Sequence, residues 1–187
     1  MNYQEYQQLF VDIQHNENPQ YPYDDPQYRH YTKMNQARMS RWDKQLKPNE
    51  ALATIISKIN NVQHWIIITE PWCGDAAHTL PLMIGLAEIN EKITYDIQLR
   101  DSEPFLINNY LTGTSKSIPK LIVRNERGDD LFNWGPRPQP AQALFNQLKA
   151  EGVDHDVITS ALQQWYNQDK GASFNEEMMA LFTLNQF

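Results

Sequence analysis

A chain of 187 residues is long enough to bury one sizeable core, and its 41% apolar content with 11 prolines and 9 tyrosines is that of a globular protein. A net charge of −7 argues against broad nucleic-acid binding and against docking on anionic lipid. No apolar run approaches the roughly 20 residues that span a bilayer, and the start, Met-Asn-Tyr-Gln-Glu-Tyr, lacks the basic and apolar stretches of a signal peptide. With one cysteine, Cys73, no intramolecular disulfide is available, so a reducing cytoplasm is the expected location.

The predicted elements begin with a short polar helix within residues 1–18, on which Leu9, Phe10 and Ile13 make a weak apolar stripe. Prolines 19, 22 and 26 break regular structure as far as about Tyr28. A helix is expected from Tyr31 to Leu46, with Met39, Trp42 and Leu46 inward and Arg38, Arg41 and Gln45 on a solvated side. Pro48-Asn49 opens an amphipathic helix with Leu52, Ile55, Ile56 and Ile59 on one face. A strand over 64–69 (Trp65, Ile66, Ile67, Ile68) leads into Pro71-Trp72-Cys73-Gly74-Asp75-Ala76 and a helix from about Gly74 to Asn90. Pro81 lies inside that helix, where it costs about 3 kcal/mol or more and kinks the backbone.

Ile93 to Leu99 alternates as a half-buried strand, and Glu103 to Leu111 reads as a short helix. Lys120–Val123 and Asp130–Trp134 are strands joined by a hairpin turn over 125–129. Pro138 or Pro140 opens a helix to about Ala150, with Ala141, Leu144, Phe145 and Leu148 inward. The tail is helical too. Asp154–Asn167 carries Ile158, Ala161, Leu162 and Trp165 on one face. A capping box of Ser173 and Glu176 precedes Met178, Leu181 and Phe182. The βαβα-ββα order demands a central mixed sheet, its first two strands parallel with a right-handed crossover, and a last helix closing the other face. That α/β unit spans 49–151, between helical extensions over 1–48 and 152–187.

Several offsets in this unit resemble the thioredoxin superfamily. Trp72-Cys73-Gly74 matches the start of its redox motif, Pro81 follows Cys73 by eight residues (81 − 73), and Ser117-Ile118-Pro119 stands before a strand. The resemblance implies a thioredoxin-like fold, a kinked active-site helix and a cis Ile118–Pro119 bond. Arg38-Met39-Ser40-Arg41-Trp42, Leu99-Arg100-Asp101 and Trp134-Gly135-Pro136-Arg137-Pro138 are similar to patterns in uncharacterised bacterial thioredoxin-like proteins. The departures bear on function. Ala76 replaces the resolving cysteine, Asp75 replaces the proline between the two, and Ile67 stands where dithiol members bury an acid. Peroxide-reducing relatives place Thr or Ser three residues before their cysteine, where this chain has Glu70.

The resemblance makes Cys73 the candidate nucleophile. The topology brings Cys73, Arg100, Asp101, Ile118, Pro119, Trp134 and Arg137 to one sheet edge, while Arg124 and Glu126 belong to the opposite, solvated one. Trp72 and Trp134 are expected to flank the thiol, the Ile118 backbone to hold an extended peptide, and Arg137 to clamp a carboxylate or other anion. Gly74 and Asp75 complete the candidate binding residues. A helix N-terminus favours a thiolate by about 0.3–1 kcal/mol. Asp75 at ~6 Å opposes it by roughly 0.7 kcal/mol in water and about 3 kcal/mol at an effective dielectric of 20. Only a nearby Arg100, Arg137 or Arg41 would restore a reactive thiolate. His78 is badly placed as a base for Cys73, and the scattered histidines make a zinc site improbable. No cofactor is expected. Three readings stay open: monothiol thiol–disulfide exchange resolved by an external low-molecular-weight thiol on a protein or peptide partner, an inert peptide-binding module, or a scaffold whose terminal helices cover the site.

Overall fold

Four short strands pair into a single mixed sheet, whose two faces are covered by different elements. The computed structural model describes residues 1–45 and 47–185. In chain order the elements are helices α1 (Tyr3–His15), α2 (Pro26–Gln45) and α3 (Glu50–Ser57), strand β1 (Gln63–Thr69), helix α4 (Ala76–Ala87), strands β2 (Ile93–Leu99), β3 (Lys120–Asn125) and β4 (Asp130–Trp134), and helices α5 (Gln139–Ala150), α6 (His155–Asp169) and α7 (Ala172–Leu184). The strand order is β2-β1-β3-β4, with β1 parallel to β2 and both remaining pairings antiparallel. Met1 lies along the outer edge of β2, where its carbonyl accepts from the Ile97 N–H at 2.9 Å.

Because side chains alternate across a strand, the sheet has two distinct faces. Trp65, Ile67, Ile97, Leu121 and Val123 share one core with Tyr6 and Phe10 of α1, Leu52 and Ile56 of α3, Leu80 and Met83 of α4, and Phe174, Met178 and Phe182 of α7. The opposite face, with Ile66, Ile68 and Ile122, has a thinner cover made by Cys73, Ala76, Ile107 and Ile118. Pro81 is accommodated within α4, which is buried on nearly every side. Packing on both flanks therefore compensates for the backbone hydrogen bond that proline removes.

The structure corrects several expected details. α2 starts at Pro26, five residues before Tyr31, because proline suits the first helical position and Asp25 Oδ1 accepts from the Gln27 N–H at 2.8 Å. Met39 and Trp42 are buried, and Leu46 lies outside the described residues. The helix expected over 103–111 shrinks to one 3-10 turn at Leu106–Asn109, entered through Phe105 at φ 54°. The last helix of the α/β unit does not close the sheet. α5 packs on α6 in a separate cluster of Ala141, Ile158, Leu162 and Tyr166, and α7 lies beside α3 on the main core.

On α6 the buried residues are Ile158, Leu162 and Tyr166, with Trp165 only partly covered. The capping box at Ser173 and Glu176 does not form, since α7 starts earlier and the Ser173 hydroxyl donates to Asp169 Oδ1 at 2.6 Å. Gly171, at φ 80°, makes that turn possible, because a Cβ there would stand 2.6 Å from Leu82 Cδ1. Arg124 is not merely solvated: it pairs with Asp130 at 2.8 Å and donates to the Tyr110 hydroxyl at 2.8 Å.

The contribution of α7 can be measured directly. The Phe182 ring stacks on Trp65 at 5.6 Å between centroids and meets Phe132 edge-on at 5.1 Å. Phe182→Ala is expected to lower unfolding stability by about 3–5 kcal/mol in urea titrations, against less than about 1 kcal/mol for an exposed apolar position such as Leu184→Ala. Equal small losses would show that α7 does not belong to the cooperative core.

Candidate functional site

The end of β1 and the start of α4 position the site. The Arg100 N–H donates to the Thr69 carbonyl at 3.1 Å, which carries the parallel pairing one step past β2. The Cys73 N–H then donates to the Glu70 carbonyl at 2.9 Å, turning the chain into α4. The turn buries Cys73, which is 5% exposed among Ile66, Ile68, Ala76, Ile118 and Ile122. Its thiol donates to the Ile118 carbonyl at 3.4 Å, and the Ile118–Pro119 bond is cis. Burial pushes the thiol up to about 12, and the neighbouring Asp75 charge adds to that. The backbone N–H groups of Ala76 and Asp75, and the Arg137 cation, pull it back by less.

Asp75 is buried beside the thiol and is the centre of the polar network. Arg137 grips both of its oxygens, Nε to Oδ1 at 3.0 Å and Nη2 to Oδ2 at 2.8 Å, and the Tyr166 hydroxyl donates to Oδ1 at 2.9 Å. Burial raises the Asp75 carboxyl, and Arg137 followed by Tyr166 draws it back down. Arg137 is further held by Gln142 Oε1 at 3.1 Å and by the Phe145 ring at 4.2 Å. It is thus engaged inside the protein, with its fork already filled by a carboxylate. The loop that carries it runs against Pro119. A Cβ at Gly135, φ 116°, would fall 2.2 Å from the Pro119 carbonyl oxygen, so only glycine lets these two segments meet.

His78 extends the network on α4. The Trp42 indole N–H donates to His78 Nδ1 at 2.7 Å, Nε2 faces Gln163 Oε1 at 3.0 Å, and the ring stacks on Tyr166 at 4.3 Å. Since an indole nitrogen only donates, Nδ1 must accept and Nε2 must carry the proton. Burial accordingly lowers this histidine to about 3. Glu70 shows the converse: burial pushes its carboxyl up to about 7, while the Asp101 N–H at 3.1 Å partly offsets that.

A cleft of about 880 Å³ opens between α2, the 72–75 turn, the 115–118 loop and α6. Trp72, Cys73, Gly74, Asp75, Arg100, Ile118 and Arg137 all line it, so most of the sequence-derived candidates converge. Asp101, Pro119 and Trp134 are not among its lining residues. Trp134 turns to the opposite side of the sheet, where its indole N–H donates to Glu177 at 2.6 Å and its ring meets Phe174 edge-on. It therefore does not flank the thiol. Arg100 is paired with Asp101 at 2.5–2.9 Å and lies over the Trp72 ring at 4.7 Å. Arg41 covers the Trp42 ring at 4.2 Å and donates to Asn167 at 2.5 Å.

Residues not singled out from the sequence, or assigned there to a solvated face, also line the cleft: Tyr28, Asn35, Arg38 and Tyr166. The first three occupy positions i, i+7 and i+10 of α2 and so share one helix face. That spacing is readable once the helix is started at Pro26. Nothing local in the sequence marks Tyr166, whose partner lies 91 positions away. Among the described residues no group of three or more His, Cys, Asp and Glu side chains is placed to hold a metal ion. Nor is any helix long and apolar enough to cross a membrane.

A family model described as Thioredoxin matches residues 22–149, more than half of the chain. The chain belongs to the thioredoxin family. Among solved structures it resembles a protein of unknown function from Pseudomonas aeruginosa, at 17% identity and a TM-score of 0.58, over 82% of this chain and 89% of that one. It also resembles an HIV epitope-scaffold, at 18% identity and a TM-score of 0.56, over 82% of this chain and 90% of that one. No curated protein matches the sequence. The fold is thioredoxin-like α/β, and the chain carries a single cysteine.

His78 gives this thioredoxin-family chain a pH signature. Its folded pKa of about 3 lies below the ordinary 6.5, so between those values the unfolded chain binds a proton that the native one does not. Stability attributable to His78 is therefore complete above pH 6.5 and lost as pH falls, by about 1.4 kcal/mol per unit. Glu70, raised from 4.5 to about 7, has the opposite slope between those two values, so the test is a difference. The gap in unfolding free energy between wild type and His78→Gln should shrink as pH drops from 7 to 4.5, and a gap independent of pH would contradict a neutral, buried His78.

Proposed function

We propose that the chain is a binding module on a thioredoxin fold, in which Cys73 forms part of the wall of the cleft and does not act as a nucleophile. The observation that carries this reading is the state of the thiol: it is buried, it donates to the Ile118 carbonyl, and its pKa is pushed up to about 12. Arg137, whose charge acts on the thiol, is committed to Asp75, so a thiolate would have a carboxylate for a neighbour and only a shared cation. Ala76 supplies no resolving thiol. α2 and α6 wall the cleft on both sides, and an aromatic and polar lining of about 880 Å³ suits a small ligand or the side chain of a partner peptide. A lone protonated thiol fits a reducing, cytoplasmic setting.

Alkylation of Cys73 as a function of pH tests the reading. With iodoacetamide at pH 7.5 the folded protein should react more than 100-fold more slowly than the urea-unfolded chain, and the rate should still be rising at pH 10. A plateau with a midpoint below 8.5 would instead identify an activated thiol and favour monothiol exchange with an external low-molecular-weight thiol.

A further inference from the structure

The cleft walls hold four cations, and their partners differ. Arg137 is neutralised by Asp75 and Arg100 by Asp101, while Lys116 stands exposed on the 115–118 loop. Arg38 is half-buried and is different again. Its Nη1 donates to the Asn35 amide oxygen at 2.9 Å, and among the described residues no carboxylate pairs with it. In a chain of net charge −7 a partly desolvated guanidinium without a counter-ion is conspicuous. Its guanidinium lies against the 72–75 turn: a Cβ built on Gly74 would be 3.8 Å from Nη1, an ordinary van der Waals contact.

Trp72 also lines the cleft. The Trp72 indole N–H is buried and has no acceptor among the described residues, although its ring is fixed by an edge-on contact with Tyr28 at 5.5 Å and by Arg100. What the cleft offers a ligand is therefore a cation that no carboxylate of the described residues neutralises, beside the Trp72 ring. The remaining surface limits the ligand's form. Phe145, Ile158 and Leu162 add apolar area, which suits an apolar or aromatic body. Asp154 and Asp156 are exposed on the α6 side of the cleft, and they disfavour a ligand carrying more than one negative charge.

We propose that the cleft binds a small monocarboxylate with an apolar or aromatic body, its carboxylate held by the Arg38 guanidinium and its body beside the Trp72 ring. This rests on the cleft being a binding site, and adds the chemical class of its ligand. A planar fork takes a carboxylate on two parallel hydrogen bonds. Asn35 holds that fork in place, itself anchored by its amide N–H to the Pro71 carbonyl at 3.1 Å.

The test titrates ¹⁵N-labelled full-length protein with 3-phenylpropanoate, with the uncharged 3-phenylpropanamide and with phenyl phosphate. The expected result is that the carboxylate binds at least 10-fold more tightly than the amide and more tightly than the phosphate. It should also move the Trp72 indole cross-peak, assigned with Trp72→Phe. Arg38→Gln should lower carboxylate affinity to the level of the amide, with Arg38→Lys in between. If Arg38→Gln fails to fold, the acid-against-amide ratio on wild type decides alone. Equal binding of acid and amide overturns the carboxylate site but leaves the cleft a ligand site. A tighter phosphate overturns the monoanion, and no shift with any probe up to about 5 mM overturns the proposal outright. A fast-reacting Cys73 would refute the inert-thiol reading without touching any of these outcomes.

Discussion

A carboxylate buried beside a thiol is the constraint on which the rest of the site depends. Asp75 cannot stay ionised in that position without partners, because desolvating a lone carboxylate costs far more than the fold can absorb. Arg137 meets it with two hydrogen bonds and Tyr166 with a third. Each of those donors requires its own segment to come close. The 134–138 loop must pass over Pro119, which only Gly135 permits, and α6 must lie across the mouth of α4. One acid thus recruits a loop, a glycine and a helix that the α/β unit alone would not hold there.

The same interaction decides the chemistry of Cys73. In a dithiol site the surroundings of the first cysteine favour its thiolate; here the cation that acts on the thiol is shared with Asp75, that acid opposes ionisation, and apolar burial raises the thiol further. A buried ion pair is poor evidence of stability, since apolar residues of similar volume often do as well. Its stronger effect is on specificity, because it admits only one arrangement of the 134–138 loop and α6. In the proposed reading the cleft is a receptacle, with Arg38 as the cation that no carboxylate of the described residues pairs once the internal pairs are complete.

Much of the fold was legible locally. Apolar periodicity located the four strands, α3, α4 and α5 to within a few residues, and the βαβ-ββα order left one plausible sheet. The misreadings share a cause. α2 begins five residues before the expected Tyr31 because Pro26, which reads as a breaker, is its first helical residue. The helix expected over 103–111 collapsed to one turn beyond Pro104. Tyr166 displaced Trp165 on the buried face of α6 because its hydroxyl has a partner in Asp75. α7 joins α3 and Trp65 in the main core and α5 does not, and no spacing within either helix encodes that choice.

By itself, the sequence determined that one thiol stands at a strand-to-helix turn with no resolving cysteine, an acid two residues on and an arginine between two prolines. These are statements about neighbours in the chain, and the redox motif is a local one. Only the tertiary structure decided that Arg137 reaches Asp75, that Trp134 faces away from the thiol, and that Arg38 is left without a carboxylate. Those outcomes depend on contacts between residues tens of positions apart. The thiol's pKa depends on how completely such contacts exclude water.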